Sequence, residues 1–129
     1  MRGVQVVLFF LWCLGPLNEG EVLVCRGSYV WNQRNGQSSE LRVEFQPQGN
    51  DRYLVAFYFT FDGSPLVYSG TAVGSPRSGS MEGTVHNPGG NRTFVFKGTS
   101  RDGVFSGTHA ERKRNGREYP TGSLRFKLN

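Results

Sequence analysis

The stretch Tyr53-Leu54-Val55-Ala56-Phe57-Tyr58-Phe59-Thr60-Phe61, then Asp62-Gly63, then the segment Leu66-Val67-Tyr68-Ser69-Gly70-Thr71-Ala72-Val73, decides the fold. Its first part is apolar on both faces and reads as a central strand. Asp62-Gly63 is a dipeptide that two-residue hairpins favour, because both central positions of that turn need positive φ. Strand, tight turn and second strand are therefore written in one continuous piece.

The same beat runs outward in both directions. Turn residues recur at Asn35-Gly36, Gly49-Asn50-Asp51, Asp62-Gly63, Ser75-Pro76, Pro88-Gly89-Gly90, Asp102-Gly103 and Asn115-Gly116, in steps of 13 or 14 residues. These turns leave eight segments, each long enough for a strand of roughly 6 to 10 residues. Leu41-Arg42-Val43-Glu44-Phe45 alternates apolar and charged, as a strand with one wet face does. No segment shows an amphipathic helical period. The sequence thus predicts an all-β domain, a single antiparallel up-and-down meander of about eight strands. Closure into a barrel removes exposed edges and is the expected form; a β-sandwich is the alternative.

A second repeat supports closure. Gly-Thr or Gly-Ser occurs at Gly70-Thr71, Gly83-Thr84, Gly98-Thr99, Gly107-Thr108 and Gly122-Ser123. Tyr68, Met81, Phe96 and Phe105 sit two places before four of these glycines, on the same strand face. A bare position on the inner face of strand after strand lets a sheet coil on itself.

The chain has 129 residues, which suits one domain, and its 36% apolar content suffices for a core. The start is a separate object. Met1-Arg2 is positive, Gly3 to Leu14 is uncharged and apolar, and Gly15-Pro16 breaks the run. Such a run is too short for a comfortable membrane span of roughly 20 residues and has the length of a secretory signal peptide. Residues 1–20 are therefore expected to be a signal peptide and 21–129 the single barrel-like domain, secreted, or periplasmic in a bacterium. No transmembrane span is expected after signal removal. Beyond that segment Cys25 is the only cysteine, so no internal disulfide is expected; the thiol is either buried or a route to a dimer. Residues 21–129 hold 14 Lys and Arg against 9 Asp and Glu, an excess that favours acidic partners without specifying nucleic acid.

The start Gly27-Ser28-Tyr29-Val30-Trp31 and the strands Phe105-Ser106-Gly107-Thr108 and Tyr68-Ser69-Gly70-Thr71 resemble avidin and lipocalin (calycin) eight-stranded meander barrels, over residues 27–128. The resemblance implies architecture. It carries no ligand set, and the later tryptophans of avidins are absent.

Chemistry-bearing residues are few. His109 shares a strand face with Phe105, Gly107 and Glu111, so His109 and Glu111 are the candidate acid–base pair, if that face points inward; the basic run after them instead suggests an exposed hairpin end. His86 falls on the face of Ser80, Glu82 and Thr84, towards solvent. Two histidines and one cysteine give no zinc spacing, and no cofactor motif is present. Arg112, Lys113, Arg114 and Arg117 form the densest charge cluster, an anion patch or a solubilising turn, with no interleaved aromatics that would mark a nucleic-acid binder. Asn91-Arg92-Thr93 is a glycosylation sequon at Asn91. Trp31, Phe57, Phe59, Tyr68 and Phe96 are the candidate ligand-lining residues, or else fill a solid core, which a domain of this size favours.

The expected function is a non-enzymatic binding module, with a small apolar ligand inside or a protein or glycan partner on its loops. A secreted enzyme using His109 and Glu111 and a structural surface protein are the alternatives. An interior cavity above roughly 300 Å³ would favour a ligand carrier.

Overall fold

A computed structural model describes residues 21–128; the expected signal peptide lies outside them. Eight strands follow in chain order: β1 (Leu23–Trp31), β2 (Ser38–Gly49), β3 (Arg52–Phe61), β4 (Ser64–Gly74), β5 (Gly79–His86), β6 (Thr93–Arg101), β7 (Val104–Arg112) and β8 (Glu118–Leu128). Each pairs antiparallel with the next, and β8 pairs back onto β1 from Cys25↔Leu128 to Trp31↔Gly122. The sheet is a closed barrel, which sets the sandwich aside.

The turns keep their beat but differ in kind. Asn50-Asp51, Asp62-Gly63 and Asp102-Gly103 are two-residue turns with positive φ at both positions. Asn35-Gly36 and Asn115-Gly116 instead close longer connections. The first follows a single 3-10 turn at Asn32–Arg34, with Asn35 left-handed. In the second the Arg117 amide donates to Asn115 Oδ1 at 2.9 Å. A side chain that mimics a backbone turn serves a wider loop as well as a tight one.

Alternate residues point inward, as strand geometry requires. Phe45, Phe96, Phe105 and Phe126 are at most 2% exposed. Burying each contributes roughly 1.5–3 kcal/mol. Phe105 and Phe126 stack with centroids 4.7 Å apart. The half of the barrel holding Cys25, Val43, Phe45, Met81, Phe105 and Phe126 is packed solid. The β4–β5 loop folds over that end, where buried Ser100 donates from Oγ to the Pro76 carbonyl at 3.0 Å. Cys25 is fully buried there, and burial pushes its thiol up to about 11. A disulfide to a second chain would require the barrel to open.

The glycines sit where strands crowd. Gly98 and Gly107 face each other across β6 and β7, and a Cβ on either would overlap the opposite backbone. Gly107→Val should therefore cost about 3 kcal/mol or more, a large value for one substitution. Denaturant unfolding measures it, and an unchanged midpoint would remove these glycines from the account of closure.

Candidate functional site

The other end of the barrel is a mouth. Four connections surround it: β1–β2, β3–β4, β5–β6 and β7–β8. Below them lies an apolar cavity of about 110 Å³, lined by Trp31, Phe57, Phe59, Tyr68, Phe96 and their neighbours. All five ring-bearing residues singled out from sequence line this one space. The interior is solid at one end and hollow at the other, so neither a wholly filled core nor a large carrier cavity describes it. The volume falls below drug-sized sites of roughly 300 Å³ upward and is nearer to an apolar cavity of about 150 Å³ that accepts a benzene ring.

His109 lies inside, not at an exposed hairpin end. Its ring stacks on Trp31 with centroids 5.7 Å apart and planes 15° apart. The reason lies in β8. Gly122 stands opposite both Trp31 on β1 and His109 on β7, and a Cβ there would strike the imidazole. With no side chain in the way, the ring reaches across β8 to β1. His109 Nε2 is 3.0 Å from the Val30 carbonyl, which only accepts, so Nε2 carries the proton. The Thr121 hydroxyl lies 2.7 Å from Nδ1 and 3.1 Å from the His109 backbone carbonyl, and its single proton serves one acceptor or the other. Thr121 is the extra residue of a bulge, between the pairs His109↔Gly122 and Ala110↔Pro120. Bulges of this kind re-aim one side chain, here towards the imidazole.

Burial lowers the His109 pKa below its ordinary value; the Val30 hydrogen bond opposes this and is the smaller effect. The ring is therefore neutral at pH 7, with both nitrogens engaged by the protein.

Glu111 does not meet His109. It takes a bidentate pair from Arg92, with Nε and Nη2 each at 3.0 Å, and Lys113 Nζ lies 3.4 Å away. The Arg92 hydrogen bonds hold its carboxyl below the usual range, so it is a fixed anion. Arg92 in turn lies 5.1 Å over the Phe94 ring, at the cavity's edge. The Tyr68 hydroxyl stands in the field of both Arg92 and Glu111, and burial raises its pKa. Arg92 was legible only as part of the sequon. Its two-residue offset from Phe94, on the same strand face, is the signal by which it could have been found.

The basic hairpin is largely paired. Arg112 meets Glu118 at 3.1 Å, Lys113 meets Glu111, and Arg117 lies 5.8 Å over Tyr119. Asn91 is exposed in the β5–β6 loop, where its Oδ1 accepts from Asn87 at 2.6 Å. His86 is exposed and sits 3.0 Å from Thr93. Among the described residues no group of three His, Cys, Asp or Glu converges as a metal would require. Nor is any helix among them long and apolar enough to cross a membrane.

No family model matches the chain, and no curated protein matches it in sequence. Among solved structures it is similar to a redesigned beta barrel, at 17% identity and a TM-score of 0.58, over 86% of this chain and 91% of that one. At that identity the likeness shows the fold alone.

The His109 clasp leads to two expectations. His109→Ala should cost about 2–4 kcal/mol, because it opens a cavity and leaves the Val30 carbonyl without its donor. The pH dependence follows from the lowered pKa. Below about pH 6.5 the unfolded chain takes up a proton that folded His109 resists, so stability falls with acidification and is fully present above that value. Chemical denaturation between about pH 7 and 5 should show a shallower decline in His109→Phe than in the parent. Equal slopes would mean that His109 titrates freely in the fold.

Proposed function

We propose that the protein is an exported, non-enzymatic binding module that takes the small apolar end of an amphiphile into the mouth of its barrel. The observation that carries this reading is the hollow itself. A domain able to pack one half solid leaves the other half open, walled by aromatic rings and edged by the Arg92 guanidinium over Phe94 and the Arg34 guanidinium over Phe61. The ligand class follows from size and rim. About 110 Å³ admits one ring or a short hydrocarbon tail. A carboxylate or phosphate head would remain outside, competing with Glu111 for Arg92.

Export rests on the leading apolar run of the sequence, and the likeness to calycin barrels belongs to the same reading. Both accord with a carrier of small molecules. An acid–base enzyme draws less support, because His109 and Glu111 are engaged separately, each with other partners.

Trp31 supplies the readout, since it lines the cavity. Trp31 is the single tryptophan of residues 21–129, so titration of that exported domain with phenyl-substituted or short-chain carboxylic acids should shift its emission. The expected Kd is micromolar, the order reached by ligands of about ten non-hydrogen atoms. Leu66→Phe should narrow the cavity without adding a second indole, and abolish the shift. A full panel that leaves Trp31 emission unmoved would defeat the proposal.

A further inference from the structure

The strand register assembles a feature that the linear sequence hides. Arg42 on β2 stands directly opposite Arg26 on β1, and Arg26 directly opposite Lys127 on β8. Lys127 faces Val104 on β7, which faces Arg101 on β6. One cross-strand row thus carries four cations over five neighbouring strands. Arg125 adds a fifth in the adjoining row, opposite Ser28 and Ser106. All stand on the outer face; Arg26, Arg101, Arg125 and Lys127 lie towards the end away from the mouth, and the row climbs to Arg42, on the mouth side of mid-strand in β2.

Directly opposed side chains lie about 5 Å apart, and like charges so placed repel. Cations on a sheet often guard an exposed edge, but a closed barrel has none. Nor are these charges well neutralised from within. Arg26, Arg101, Arg125 and Lys127 join none of the ion pairs among the described residues, which are Arg34–Asp62, Arg42–Glu44, Arg92–Glu111, Arg112–Glu118 and Lys113–Glu111. Arg42 has only a 3.4 Å approach from Glu44, and its buried Nε lacks a hydrogen-bond partner. Among the described residues the other carboxylates near the row are Glu40, opposite Ser28, and Asp102, beside Arg101 in the turn.

We infer that this row binds a linear polyanion, specifically a sulfated or otherwise acidic polysaccharide. Two observations choose this class. The row follows a convex wall round roughly a quarter to a third of the barrel, given strands tilted by about 40°. A flat anionic bilayer touches only part of such an arc, whereas a chain follows it. The row also lacks exposed rings: Tyr58, the aromatic nearest to it, lies under Arg42 with the guanidinium 4.0 Å over its face. Single-stranded nucleic acid gains much of its affinity by stacking on open aromatics, which are missing here.

The inference is independent of the cavity at the mouth. Its test is binding of the purified protein to dextran sulfate. Neutral dextran, a thymidine oligonucleotide and phosphatidylglycerol vesicles serve as the other probes. Two triple variants remove equal charge: Arg26→Gln/Arg101→Gln/Lys127→Gln from the row, and Arg112→Gln/Lys113→Gln/Arg114→Gln from the hairpin at the mouth. The row variant should bind dextran sulfate at least about 10-fold more weakly, with a shallower dependence on salt, while the hairpin variant stays within about 3-fold. Arg26→Lys/Lys127→Arg, which keeps the charge, should retain binding and guards against loss by misfolding. The inference is overturned by failure of the parent protein to bind, by equal loss in both triple variants, or by tighter binding to the oligonucleotide or the vesicles.

Discussion

The pairing of β8 with β1 is the constraint on which everything else rests. Without it the meander is an open sheet with two bare edges and an interior face turned to water. With it, the inward residues of eight strands share one enclosed space, and the outward residues of β2, β1 and β8 fall into a single register. The cavity and the cationic row are both consequences of closure.

Closure is a matter of local crowding as much as of hydrogen bonds. A small barrel forces strands to coil strongly, and side chains on the inner face then collide with neighbouring backbone. Gly27, Gly70, Gly98 and Gly107 lie at such points, and a Cβ on any of them would overlap a facing strand. Gly122 goes further. It clears the path by which His109 crosses β8, stacks on Trp31 and donates to Val30. One imidazole thereby ties β7 to β1 over the strand between them, at the end of the barrel where the interior is not filled. This tie and the ring contacts of Trp31 with Phe94, Phe59 with Tyr68 and Tyr68 with Phe94 hold the mouth in shape.

Much of this was legible in the sequence. The spacing of turn residues announced eight strands, and the Gly-Thr repeat announced coiling, because both signals arise from local conformational needs. Alternation along β3, β4 and β6 placed Phe57, Phe59, Tyr68 and Phe96 on the inner face, where they line the cavity. What depended on register was not legible. The bulge at Thr121 shifts β8 by one residue and turns that hydroxyl onto His109, which no periodicity reveals. Glu111 lies two positions from His109 and still finds Arg92 instead, since its nearest cation comes from another hairpin. Charge showed the contrast most clearly. The cations from Arg112 to Arg117 are clustered in sequence, yet most of them are paired on their own hairpin. Arg26, Arg42, Arg101 and Lys127 are scattered along the chain and meet only when the sheet closes.

Native-state hydrogen exchange tests the closure most directly. If β1 and β8 are joined, the amides along Cys25–Trp31 and Gly122–Leu128 that point across this seam should exchange as slowly as those of the central β3–β4 pair, opening only with global unfolding. Rapid exchange confined to that seam, with β3 and β4 still protected, would show two frayed edges where this account requires a ladder.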